Sequence, residues 1–296
     1  YGEYGAVARG FSQNETPKTG NLRLPAATFN SVQTLSDGVI VNATFVDEDK
    51  NVYMCGYTSP ITSTGNRPAY DNTASYPYVA KYDTGGNLLF QASYENLFGQ
   101  FTSLTQIDTS IYLGGQVFES STDKGVIFKI TAAGDIQWQK TISATNIINA
   151  VSTDGTRVFG VGDHNTLGAT LVRVPAGGAV IDFAKAIDFN DSSLNTLKPT
   201  AITFAGEPTT SEDTYAAAGE TDAQEKLFIA FNDETNNATY VARANPTTGD
   251  LETSYYYGQN LGIHSLNIDT GNGDGIYMIA GGYYKEAGFT LAPDVI

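Results

Sequence analysis

Two short patterns alternate along the whole chain, at intervals of roughly 45 to 70 residues, and any fold must accommodate both. The first is an apolar strand with an aromatic residue and a glycine a few positions later. It reads "NVYMCGY" (51–57), "SIYLGGQ" (110–116), "RVFGVGD" (157–163), "DTYAAAGE" (213–220) and "GIYMIAGG" (275–282). Each copy follows a turn rich in Asp, Gly, Thr or Ser and, before that, another short strand, which is the grammar of a β-hairpin. The second pattern is a strand with one basic residue, a turn glycine and a further strand. It reads "AVARG…TGNLRL" (6–24), "YVAKYDTGGNLLF" (78–90), "VIFKITAAGDIQW" (126–138), "TLVRVPAGGAVID" (170–182) and "YVARANPTTGDLE" (240–252). The basic positions are Arg9, Lys81, Lys129, Arg173 and Arg243, five of only sixteen Lys and Arg in the chain. From base to turn glycine takes five residues in three copies and six in a fourth, with a longer turn in the first, and a scarce residue type so placed marks a repeat.

One repeat is therefore two hairpins, or four strands, the unit of a β-propeller. No segment sustains the 3.6-residue period of a helical solenoid. The chain opens on the second pattern and closes on the first, with five copies of each. The expectation is one all-β domain over 1–296, a single β-propeller of five four-stranded blades. The N-terminal hairpin (about 3–28) would complete the last blade, begun by the C-terminal hairpin (about 261–285), leaving no open sheet edge. Six blades are the alternative, because "KLFIAFNDETNNATYVARA" between Arg173 and Arg243 reads as an extra strand, and 29–75 could also hold one. Residues 287–296, past the last repeat strand, form an apolar tail and a candidate contact segment.

The stretch "NVYMCGYTSP…AYDNTASYPYVAKYDTGGNLLFQASY" resembles the bacterial β-propeller repeat family whose units read strand, "GYT", loop, then "FVAK-D-G-N-L". The match covers 51–94 well, 110–140 moderately and the remainder faintly. The resemblance implies a propeller of the secreted or surface type. Its motif residues are structural, so it brings no active site.

Acidic residues outnumber basic ones 32 to 16, giving a net charge of −16. Such a surface repels nucleic acid and anionic membranes, and no apolar run is long enough to span a bilayer. The abundance of Gly and Tyr with few basic residues suggests an extracellular or cell-surface setting. The first residue is Tyr1 rather than Met, from which a removed signal peptide is expected. Cys55 is the sole cysteine, so a disulfide within the chain is excluded; it reads as a buried, inert thiol.

Motifs that carry chemistry are scarce. His164 and His264 are isolated and, with one remote cysteine, cannot supply the ligands of a zinc site. No G-x-S-x-G elbow is present, and "GNGDGIY" (271–277) opens no helix, so neither a nucleophile nor a nucleotide cradle is indicated. Paired carboxylates of a glycoside hydrolase would have to stand on the innermost strands, yet "GVIVNATF", "FTSLTQI", "NIINAVS", "TAITFAG" and "IHSLNID" are almost free of acids. Weak calcium candidates are Asp47, Asp49 and Asn51 in "VDEDKN", and Asp269 and Asp274 in "DTGNGDG"; neither run has the glycine and terminal Glu of an EF-hand. No other cofactor is expected. Glycosylation sequons stand at Asn14, Asn190 and Asn237 in expected turns and at Asn42 in an expected strand, where modification is harder. The tyrosine runs 255–257 and 283–284 could stack on sugars, but alternate residues of a strand face opposite ways, and packing between blades explains them equally.

These readings converge on a non-enzymatic extracellular propeller, a structural or surface interaction module. A sharper version makes it a subunit of a fibre or filament, because a hairpin able to close its own ring can equally complete a neighbour's blade. A carbohydrate-binding lectin is the alternative and a glycoside hydrolase the third reading. Partners would be protein, a second copy or a glycan.

Overall fold

The structure is a computed structural model that describes residues 38–59, 70–165, 168–189, 194, 197–206, 225–269 and 277–284. Among the described residues there are eighteen strands and no helix. The first sheet contains β1 (Val39–Val46), β2 (Val52–Thr58), β3 (Tyr76–Tyr82) and β4 (Leu88–Ser93). The second contains β5 (Gly99–Ile107), β6 (Ser110–Glu119), β7 (Thr122–Ile130) and β8 (Ile136–Ile142). In the third are β9 (Thr145–Thr153), β10 (Arg157–His164), β11 (Ala169–Pro175) and β12 (Phe183–Ala186). The fourth holds β13 (Lys198–Ala205), β14 (Lys226–Asp233), β15 (Ala238–Ala244) and β16 (Leu251–Gln259). The fifth pairs β17 (Leu261–Asp269) with β18 (Tyr277–Tyr284). Each sheet is an antiparallel meander in chain order. Four-stranded meanders packed face to face in succession make the architecture propeller-like.

The register explains the sequence patterns. The aromatic of the first pattern lies directly across from the base of the second, as Tyr53–Lys81, Tyr112–Lys129, Phe159–Arg173 and Phe228–Arg243. The base in turn faces Phe90, Trp138, Phe183 and Thr253 on the fourth strand. A cation between two rings gains a cation–π contact while its stem covers apolar surface. Lys81 Nζ stands 4.6 Å from the Tyr53 centroid, and the Arg173 guanidinium 5.0 Å from that of Phe183.

This register corrects the reading of the fourth repeat. "KLFIAFND" is no extra strand: it is β14, hydrogen-bonded between β13 and β15, and it supplies Phe228 opposite Arg243. The run "DTYAAAGE" has the better glycine match but lies outside the described residues. Pairing partners, which a strand-by-strand pattern ignores, decide the place.

Apolar clusters form between consecutive sheets. Tyr53, Cys55 and Val79 meet Phe101, Leu113 and Phe128 between the first two. Ile127 meets Val172 and Val174 in the next interface, Leu171 meets Ala242 and Ala244 in the third, and Val241 meets Ile263 and Leu266 in the fourth. At about 1.5–3 kcal/mol for each large apolar side chain removed from water, these interfaces hold the sheets in order. A fifth cluster behaves differently. Tyr78, Ala80 and Tyr82 are 4%, 0% and 8% exposed, yet the described members of their cluster all belong to the first sheet.

Candidate functional site

The inner strands of all five sheets, β1, β5, β9, β13 and β17, line one cavity of about 960 Å³. Hydroxyls and amides, among them Asn42, Thr102, Asn149 and Thr200, alternate on its walls with apolar side chains. The sequence runs singled out as innermost are these strands. Its carboxylates come from elsewhere: Asp163 from the end of β10 and Glu234 from the β14–β15 turn. Lys198, which also lines it, stands 3.5 Å from Glu234. Neither acid has a sequence signal of its own, because Asp163 stands on a second strand and Glu234 in a turn while the first strands supply the wall.

Each inner strand carries a bulge at the same place. Asn42, Thr102, Asn149, Thr200 and His264 are the extra residues, skipped in the pairing with the second strand. The bulge draws two backbones so close that a Cβ on Gly56, Gly115, Gly162 or Gly282 would strike the carbonyl oxygen of Ile40, Gln100, Ile147 or Gly262. That is the physical origin of the repeat glycine. The fourth sheet has Phe231 at this register, with its ring packed 5.0 Å from Phe189.

Four of the bulged side chains reach across to the next sheet, and each donates to the carbonyl just before that sheet's bulge. Asn42 Nδ2 bonds the Phe101 carbonyl at 2.7 Å and Thr102 Oγ1 that of Ile148 at 2.5 Å. Asn149 Nδ2 bonds the Pro199 carbonyl at 2.9 Å and Thr200 Oγ1 that of Ile263 at 2.5 Å. The remaining Asn protons are also used, by Gln100 Oε1 at 3.0 Å and Asp163 Oδ1 at 2.8 Å. A polar belt thus runs around the cavity. Sequence patterns missed it, because Asn and Thr share a role here without sharing a letter.

The other sequence candidates fall elsewhere. Asp47 accepts from the Asn51 backbone and side-chain amides at 2.8 and 2.9 Å and pairs with Lys81 at 3.3 Å. Burial pushes its carboxyl up, but these donors hold it below its usual value. Asp49 is exposed on the same turn. Asp269 ends β17 and Asp274 lies outside the described residues. Lys129 gives its charge to the Ala176 carbonyl at 3.3 Å, Arg173 to Asp182 at 2.9 Å and Arg243 to Glu252 at 2.9 Å. Arg9, Asn14 and Asn190 are outside the described residues. Asn237 is exposed in a turn with φ 51°, whereas the amide of Asn42 is committed to the belt. His264 stands on the cavity wall and His164 at the end of β10. Cys55 is fully buried, and burial raises its thiol well above the usual range, so it is a poor nucleophile. Among the described residues no group of three or more His, Cys, Asp or Glu is placed to ligate a metal directly.

The sheets and the shared cavity define an all-β, propeller-like protein. No protein-family model matches the chain, nor does any curated protein. Among solved structures it is similar to the Dos1 propeller, with a TM-score of 0.42 and 12% identity over 77% of this chain and 49% of that one. It is also similar to a neuraminidase-like protein of A/little yellow-shouldered bat/Guatemala, with a TM-score of 0.38 and 12% identity over 79% and 86%. The chain spans about half the length of the first of these. Both likenesses are loose, and the class rests on the sheets themselves.

Proposed function

We propose that the protein is a non-enzymatic, extracellular five-bladed propeller that serves as a structural or interaction module, its last blade completed by the N-terminal hairpin (about 3–28) of its own chain or of a neighbouring copy. The observation that carries this is the buried face of the first sheet. In the second, third and fourth sheets, the residues flanking the repeat base pack on the sheet before: Phe128 and Ile130, Val172 and Val174, Ala242 and Ala244. Ala80 and Tyr82 are the same positions in the first sheet and are equally buried, without a described sheet against them. In a closed ring the sheet before the first would be the last, which has two described strands, and "AVARG…TGNLRL", outside the described residues, is our candidate for the other two. An extracellular site rests on composition and on the resemblance of 51–94 to the bacterial repeat family.

Light scattering on the purified full chain, with negative-stain imaging, tests the assembly part. Rods or multimers support a subunit that donates its hairpin. A monomer of 31.5 kDa sinks the assembly and leaves self-closure. A lectin remains the second reading, favoured by the hydroxyl- and amide-rich cavity wall.

A further inference from the structure

We propose that the central cavity binds a neutral carbohydrate through polar groups of the inner strands, which rests on the reading of the protein as a lectin and gives that reading a site and a sugar class. Position along the strands orders the wall. Asp163 pairs with Ile147, two residues before the bulge of β9, and Lys198 stands two residues before that of β13, so the charged groups gather on the strand-start side of the belt. Lys198 and Glu234 pair at 3.5 Å with side chains 53% and 74% exposed, and the ammonium has two further protons to give. Beyond the belt the polar groups are hydroxyls. Ser103 Oγ accepts from the Val151 amide at 3.0 Å and Ser152 Oγ from the Phe204 amide at 3.0 Å, which leaves each hydroxyl proton to be donated. Thr44 and Ser265 are exposed on the same wall, with hydroxyls that both donate and accept. Thr44, Ser103, Ser152, Lys198 and Ser265 thus stand one on each inner strand.

Ligand classes separate on these groups. A cation would meet the Lys198 ammonium, and an anion would meet Asp163 and Glu234 in a chain of net charge −16. An apolar ligand would strip water from the hydroxyls and replace none of its hydrogen bonds. A polypeptide strand carries its backbone donors and acceptors along two edges, whereas here they surround the space. A sugar ring sends hydroxyls outward around its circumference, each a donor and an acceptor, which is what a wall of mixed donors and acceptors matches. Its C–H faces suit the apolar surface that Phe45 and Phe204 add to the same wall. A space of about 960 Å³ has room for more than one ring.

Titration calorimetry on the full chain at about 0.15 M salt, which screens the diffuse surface charge, compares tetrasaccharides that differ in charge. The neutral probes are maltotetraose, cellotetraose, mannotetraose and chitotetraose, the cationic one is the chitosan tetramer and the anionic one tetragalacturonate. One saturable site for at least one neutral probe is expected, and none for the charged pair. The methyl glycoside of the bound sugar separates two sources: binding as tight as the tetrasaccharide's assigns a free sugar, weaker binding the end of a chain, and either supports the site. Thr44→Val and Ser265→Ala each remove one exposed hydroxyl and should weaken binding about three- to tenfold at an unchanged melting temperature. Tyr256→Ala, at an exposed tyrosine that does not line the cavity, should leave binding unchanged. Sugar binding that survives both wall variants would overturn the cavity site while leaving a lectin. Preference for a charged tetramer would overturn the neutral class. Absence of saturable binding at millimolar sugar would overturn the site and the lectin reading together.

Discussion

Gly177 and Gly178 are adjacent in the turn between β11 and β12, and only the second is indispensable. A Cβ on Gly177 would meet nothing within 4 Å, whereas Gly178 has φ 69° and a Cβ there would drive into the Trp138 ring of the sheet before. Gly177→Ala should change stability by less than ~1 kcal/mol, chiefly through the unfolded chain. Gly178→Ala should cost about 2–3 kcal/mol, from the left-handed backbone and the clash with a rigid indole together. Urea denaturation of the two variants checks this, and equal midpoints would refute the reading of Gly178. The turn glycine was legible in the sequence, five or six residues after the repeat base in the last four copies. Its reason was not. It forms the floor on which the aromatic of the preceding sheet rests, Phe90 on Gly134, Trp138 on Gly178 and Phe183 on Gly249.

The element that repeats most faithfully is the inner-strand bulge, and it was only half legible. Its glycine appeared in the first pattern because a side chain there would collide with backbone. The bulged residue did not appear, because any short side chain with a proton to donate can fill it, and Asn and Thr alternate. The same blindness misplaced the fourth repeat, where Phe231 takes the glycine's register and "KLFIAFND" looked superfluous. If the belt joins sheets as its geometry implies, removing one donor strands a carbonyl on the neighbouring sheet. Thr102→Val should cost about 1–2 kcal/mol, because the Ile148 carbonyl loses its side-chain partner. Thr102→Ser should recover most of this. Chemical denaturation resolves the difference, and a valine variant as stable as the serine variant would show that the belt carries no free energy.

At the scale of the whole molecule, successive sheets are joined at three radii: the belt inside, the apolar clusters in the middle and the ring-on-glycine contacts outside. The joint between the third and fourth sheets adds a clasp, Arg157 pairing with Asp154 at 2.5 Å and Glu225 at 2.6 Å while lying over Phe159 and Phe204. If successive sheets repeating one relation close into a ring, as we propose, the ring has one last joint. The outer contact predicts its chemistry. Phe90 and Trp138 stand four residues after their own turn glycines, Gly86 and Gly134, and each of the two rests on the turn glycine of the next sheet. If the expected N-terminal hairpin fills that joint, Leu24, four residues after Gly20, takes the ring's place and Gly86, with φ 79°, the glycine's. Leu24 is therefore expected to lie against the turn that contains Gly86. Leu24→Cys combined with Thr84→Cys, an exposed position on that turn, would then be joined by a short bismaleimide, while Cys55 is buried. Cross-linked monomers on a denaturing gel would mean that the chain closes its own ring. Cross-linked ladders would mean that each copy closes its neighbour's. No cross-link under conditions that label both thiols would remove the hairpin from the joint altogether, and the buried face of Ala80 and Tyr82 would then need another cover.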